Sequence, residues 1–169
     1  VYEQEFAADW VTCVCQTPSM NERDREEFLE EFKEQGETTL VGFCIMGGIF
    51  SEGIDLMGDR LIGAAIVGTG LPQVNTEREV LKKHYDRLGE NGFDYAYRFP
   101  GMNKVLQAAG RVIRTKEDVG CILLMDERFR STEYRILFPE EWNDMHICRM
   151  GNVESILKDF WKRNVLDIQ

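Results

Sequence analysis

Gln107, Arg111 and Arg114, within the octet QAAGRVIR at 107–114, are the side chains of this chain best suited to holding a polyanion. Placed on a helix at about 100° per residue, they share a stripe roughly 60° wide. Met102, Val105, Ala109, Val112 and Ile113 gather on the opposite side, as a core-facing stripe should. Gly110 lies beside the polar stripe, where a missing side chain lets a backbone or a phosphate approach. Two permanently charged guanidiniums one turn apart, with an amide one turn before them, suit a nucleoside triphosphate. The octet alone also admits a plainer reading, a solvated helix face with two surface arginines.

The elements that must position these groups follow from the hydrophobic pattern. VTCVCQ (11–16), TLVGFCIM (39–46), LIGAAIVGT (61–69) and VGCILLMD (119–126) read as strands, the last three as apolar runs expected to be covered on both faces. Helices are expected from about 20, with Ser19 and Glu22 at capping-box spacing, at 76–89, near 91–98, at 101–114 and over VESILKDFWKR. Residues 144–149 read as an edge strand. Strands alternating with helices predict an α/β fold with a mainly parallel sheet, one domain over 1–169. In such sheets ligands sit at the C-terminal ends of the strands. Three loops follow there: GGIFSEGIDLMGDR, GTGLPQVN and DERFRS. The glycines of the first expose backbone N–H groups that can hold phosphates, and Ser51, Glu52 and Asp55 add a hydroxyl and two carboxylates.

Composition narrows the classes. With 43% hydrophobic and 30% charged residues the chain is globular rather than disordered. No apolar run approaches the length that spans a bilayer, so no membrane partner is expected. The net charge of −10 is concentrated in residues 1–60, which carry 14 acidic and 4 basic side chains. Any nucleic-acid contact must therefore be local rather than a bulk electrostatic effect. Five cysteines (13, 15, 44, 121 and 148) show no C-x-x-C spacing, and neither His84 nor His146 has a ligand partner at metal spacing. Cys13 and Cys15 are expected to be reduced core residues, and no metal site is expected in this chain.

Taken together, these segments resemble a known family. GGIFSEGIDL resembles motif V, and QAAGRVIR the QxxGRxxR motif VI, of superfamily 2 DNA helicases. SEGID, DRLIGAAIVGTGLP, the DERF strand end and CQTPSMNERDREEFLEEF narrow the resemblance to the XPD/DinG branch, in its bacterial members. It implies the second RecA-like domain of an ATP-dependent DNA helicase, a three-layer fold cut from a longer, cytoplasmic chain. ATP with Mg2+ would lie between this domain and the first RecA-like domain, and single-stranded DNA would run across both. By resemblance, Arg111 and Arg114 are arginine fingers that Gln107 positions, with Gly110 at the cleft. Asp55, Glu52 and Gly53 belong to the nucleotide network, and Ser51 contacts DNA phosphate.

No G-x-x-x-x-G-K-S/T sequence is present, and no DEAH-like magnesium-binding run. The branch's iron–sulfur cluster belongs to the other domain and does not match these cysteine spacings. The expectation is half of an ATPase site, inactive alone. The alternative is a RecA-like binding module of a catalytically degenerate helicase or helicase–nuclease fusion.

Overall fold

The structure, a computed structural model, describes residues 8–32, 38–48, 50 and 61–165. Four strands of five residues form where the apolar runs predict them: β1 (Val11–Cys15), β2 (Thr39–Phe43), β3 (Gly63–Val67) and β4 (Cys121–Met125). β1 pairs in parallel with β2, Val11 opposite Thr39. β3 pairs in parallel with β4, Gly63 opposite Cys121. Each pair is joined through a helical crossover, which parallel strands require. Those crossovers are α1 (Glu22–Glu30) in the first pair and α2 (Thr76–Arg87) with α3 (Phe99–Ala109) in the second. A π-helical turn, Asp94–Arg98, leads directly into α3, whose second residue is Pro100. α4 (Thr132–Arg135) and α5 (Val153–Val165) follow.

The chain divides into two compact units, Val1–Asp126 and Glu127–Gln169. In the first, Met102, Val105, Ala109 and Val112 are buried, as the stripe predicts, with Ile66 of β3 and Ala96 and Tyr97 of the π-helical turn. Burying Met102 and Val105 contributes about 1.5–3 kcal/mol each. A second cluster joins Phe28 and Phe50 to Val14, Leu29 and Phe32. In the second unit Phe129 and Tyr134 are buried, and their rings meet in a series that runs on to Phe138 and Trp142.

Several expectations change. The strands are not covered on both faces among the described residues: Phe43, Val67 and Met125 are exposed, and Ile66 is the only strand residue that is fully buried. Each described strand has a single paired neighbour among the described residues. The capping box of α1 lies two residues later than Ser19 and Glu22 suggest. The Asn21 side chain accepts the Asp24 N–H (3.1 Å), while Asp24 accepts the Asn21 N–H (3.0 Å). Cys15 is exposed rather than a core residue, and all five thiols are free. Burial pushes the Cys44 thiol up, with Cys15 adding to the shift, and burial alone pushes Cys121 up. Residues 144–149 form no strand. Turns at both ends, Met145 N–H to Trp142 carbonyl and Arg149 N–H to the Asn152 side chain (2.7 Å), withdraw the backbone from extended pairing.

Candidate functional site

Two loops of the first unit converge on α3 between Gly101 and Lys104. The loop after β3 crosses it so closely that a Cβ on Gly101 would lie 2.6 Å from the Thr69 carbonyl oxygen. The reciprocal contact is as tight: a Cβ on Gly70 would lie 2.8 Å from the Gly101 carbonyl oxygen and 3.1 Å from Met46 Sδ. Gly70 has φ +65°, which favours glycine on backbone grounds as well. The loop after β2 arrives from the other side. Gly47, at φ +77°, lies under the Lys104 side chain, whose Cδ and Cε would be 2.9 Å from a Cβ there. The loops at the C-terminal ends of β2 and β3, the end where ligands bind in parallel sheets, thus meet the helix that carries Gln107. Within this junction Thr69 is 1% exposed, and its hydroxyl finds no partner among the described residues.

The sequence places Gln107, Arg111 and Arg114 on one continuous helix, and the structure does not. α3 ends at Ala109, with Gly110 as its cap at φ −66°, ψ −3°. Gln107 remains on the helix, exposed. Arg111 follows in a tight turn, its N–H donating to the Ala108 carbonyl (3.3 Å). Arg114 lies beyond the turn in irregular backbone, and both arginines are half-buried. The physical reason is local. Glycine and then the β-branched pair Val112–Ile113 are poor helix formers, and a side chain captures the amides a longer helix would need. Asp118 Oδ2 accepts the N–H of Arg114 (2.8 Å) and that of Thr115 (2.7 Å). Ending the helix early also leaves Ile113 42% exposed, outside the buried stripe it was expected to join.

Among the described residues no separate backbone approaches Gly110. A Cβ there would meet the carbonyl oxygens of Leu106 (3.2 Å) and Gln107 (3.9 Å), both in its own helix. Ser51, Glu52, Gly53 and Asp55 lie outside the described residues.

Two residues join this neighbourhood that motif reading passed over. Asp118 fixes the backbone of Arg114, and the two amide donors, Thr115 first and Arg114 second, hold its carboxyl below the usual carboxylate value. Its signal was present in RTKED, an aspartate three residues after a threonine at a helix end. Lys104 lies three residues before Gln107, on the same helical face, and covers Gly47. Chemically the segment offers an amide, two guanidiniums and an ammonium, all donors, which fits an anionic phosphate chain. Amide, guanidinium and ammonium N–H groups suit phosphate oxygens rather than a magnesium ion; among the described residues no group of three or more His, Cys, Asp or Glu could hold a metal ion. No helix among them is long and apolar enough to cross a membrane.

Residues 3–145 match the helicase C-terminal domain family. The chain is 33% identical over 144 residues to a regulator of telomere elongation helicase 1 homolog of Caenorhabditis elegans, covering 79% of this chain and 14% of that protein. It is 33% identical over 106 residues to the general transcription and DNA repair factor IIH helicase subunit XPD of Dictyostelium discoideum, covering 59% and 13%. It is 33% identical over 113 residues to the ATP-dependent DNA helicase DDX11 of Danio rerio, covering 62% and 12%. The matched region is thus 12% to 14% of the length of these relatives.

Proposed function

This chain belongs to the helicase C-terminal domain family, as a RecA-like α/β domain of an XPD/DinG-type superfamily 2 helicase, and from that membership we propose how it works. The full-length protein is an ATP-dependent DNA helicase, and this chain is its second motor domain. It supplies one wall of an ATP site whose phosphate-cradling loop and Mg2+ carboxylates lie on a first RecA-like domain. When bound, Mg2+-ATP supplies the phosphoryl group whose transfer to water drives movement along single-stranded DNA.

The observation that carries this reading is the QAAGRVIR segment, where α3 ends and Asp118 takes over the backbone of Arg114. An arginine in irregular backbone keeps its position only if the backbone is tied down, and two hydrogen bonds to one carboxylate do that. Arg111 and Arg114 address the oxygens of the terminal phosphate, and their planar forks suit two oxygens at a time. Gln107 orients them from the last turn of α3, and Gly110 leaves room at the margin. Glu52, Gly53 and Asp55 complete the nucleotide network from the motif V loop, and Ser51 holds a DNA phosphate. Asp118 and Lys104 are positioning residues, one for Arg114 and one for the loop that leads into motif V.

Arg111→Ala and Arg114→Ala in the full-length protein test this directly. DNA-stimulated ATPase is expected to fall by about 10³–10⁵, the usual worth of an arginine finger. ATP affinity is expected to fall far less, because the charge these residues stabilise develops mainly in the transition state. Loss of DNA affinity with near-normal ATPase at saturating DNA would instead make this segment a DNA-binding surface and overturn the assignment.

A further inference from the structure

The second unit contains a cleft of its own, lined by residues outside the QAAGRVIR segment. It is an open cavity of about 610 Å³, lined by Arg128, Arg130, Ser131, Arg135, Met145 and Ile147, with Glu127 at one side. That volume is within the range of clefts that hold small ligands, about 300–1,000 Å³. The sequence fixes which side chains line it. In the 3-10 turn Glu127–Arg130, Phe129 is 2% exposed, and in α4 Tyr134 is 5% exposed. With both rings committed to the aromatic series through Phe138 and Trp142, the flanking Arg128, Arg130 and Arg135 are left exposed. The lining is mixed in character: three guanidiniums, a carboxylate and a hydroxyl share it with Met145 and Ile147, the latter 57% exposed.

Three guanidiniums against one carboxylate make a cationic cleft in a chain whose net charge is −10. Such a lining suits an anion that accepts several forked donors, and phosphate does this best. Met145 and Ile147 in the same lining add apolar surface for something flat and hydrophobic. Phosphate and a planar ring on one ligand describe a nucleotide unit, and single-stranded nucleic acid is bound in this way: charge along the backbone, bases laid on apolar or guanidinium surfaces. We infer that this cleft holds one nucleotide unit of single-stranded DNA, its phosphate on Arg128, Arg130 and Arg135 and its base against Met145 and Ile147. The inference rests on the helicase reading for the identity of the polyanion.

The test measures binding of a fluorescent oligothymidylate to the full-length protein across a salt series. Arg130→Gln/Arg135→Gln is expected to weaken binding at least tenfold. The slope of log affinity against log salt should become shallower, by up to about 0.7 because the guanidiniums share one phosphate. Ile147→Ser is expected to weaken binding with the slope unchanged, because it removes contact with the base and no charge. Arg130→Gln alone should give the intermediate slope, and matching melting temperatures establish that these variants fold. Unchanged affinity and slope in the double variant, with the starting protein binding DNA well, would overturn the inference and leave the helicase reading intact. A starting protein that binds no DNA would overturn both. A raised KM for ATP with intact DNA affinity would assign the cleft to free nucleotide, and competition by polyglutamate but not by oligothymidylate would assign it to an acidic peptide. Either result overturns the inference.

Discussion

Gly101→Ala sets helix propensity against packing at a single site. Propensity alone favours alanine inside α3 by up to about 1 kcal/mol. Packing forbids it: the new Cβ would lie 2.6 Å from the Thr69 carbonyl oxygen, 3.1 Å from Leu71 N and 3.2 Å from the Gly70 carbonyl carbon. All three are backbone atoms and cannot rotate away. Ordinary contact begins near 3.4 Å, so α3 and the loop after β3 must separate by about 0.8 Å. The loop has little freedom to give, since Gly70 is held at φ +65° and faces Gly101 as closely in return. Overpacking of this kind costs about 1–3 kcal/mol. Three rigid backbone contacts place this site in the upper part of that range, about 2–3 kcal/mol, so after the propensity gain the expected net loss is about 1–2 kcal/mol, a fall of about 2–8 °C in Tm at this chain length. Thermal and urea unfolding read both quantities. Gly110→Ala is the control, because among the described residues its Cβ would meet only carbonyl oxygens of its own helix, at 3.2 Å and beyond. It should hold or raise stability. A Gly101→Ala protein as stable as its parent would refute the claim that the loop after β3 is clamped against α3.

Asp118→Asn should weaken the hold on Arg114 and lower DNA-stimulated ATPase while leaving ATP affinity nearly unchanged. It should also alter the acid limb of stability. The Asp118 carboxyl lies below its ordinary value of 3.8, so its contribution is present above that value and is lost as pH falls through the lowered one. The Asn variant should lack that part of the decline, and superimposable acid-unfolding curves would count against the role given to Asp118. Thr69→Val should raise stability by about 1 kcal/mol in denaturant titrations. It keeps the shape and removes a buried hydroxyl that finds no partner among the described residues. A less stable valine variant would reveal a partner for that hydroxyl.

Much of the first unit was legible in the sequence because its signals are local. Apolar runs bounded by glycine or threonine gave β2, β3 and β4 to within a few residues, and a 3.6-residue period marked Met102, Val105, Ala109 and Val112 as core. The helicase family, too, could be read from QAAGRVIR and SEGID, since motifs are strings of residue types. Tertiary structure decided what depends on residues meeting across the chain. Periodicity extends α3 to Arg114, but Asp118 competes for the amides of Arg114 and Thr115, so the helix stops at Ala109 and the predicted stripe of arginines is broken. Gly101 looks like a weak point in a helix until the backbone of Thr69–Leu71 is seen against it. The arginine cleft of the second unit had no motif to announce it. It exists because Phe129 and Tyr134 turn inward to an aromatic core and thereby turn Arg128, Arg130 and Arg135 outward. A sequence records which side chains can bury or ionise, and only packing determines which of them must share a site.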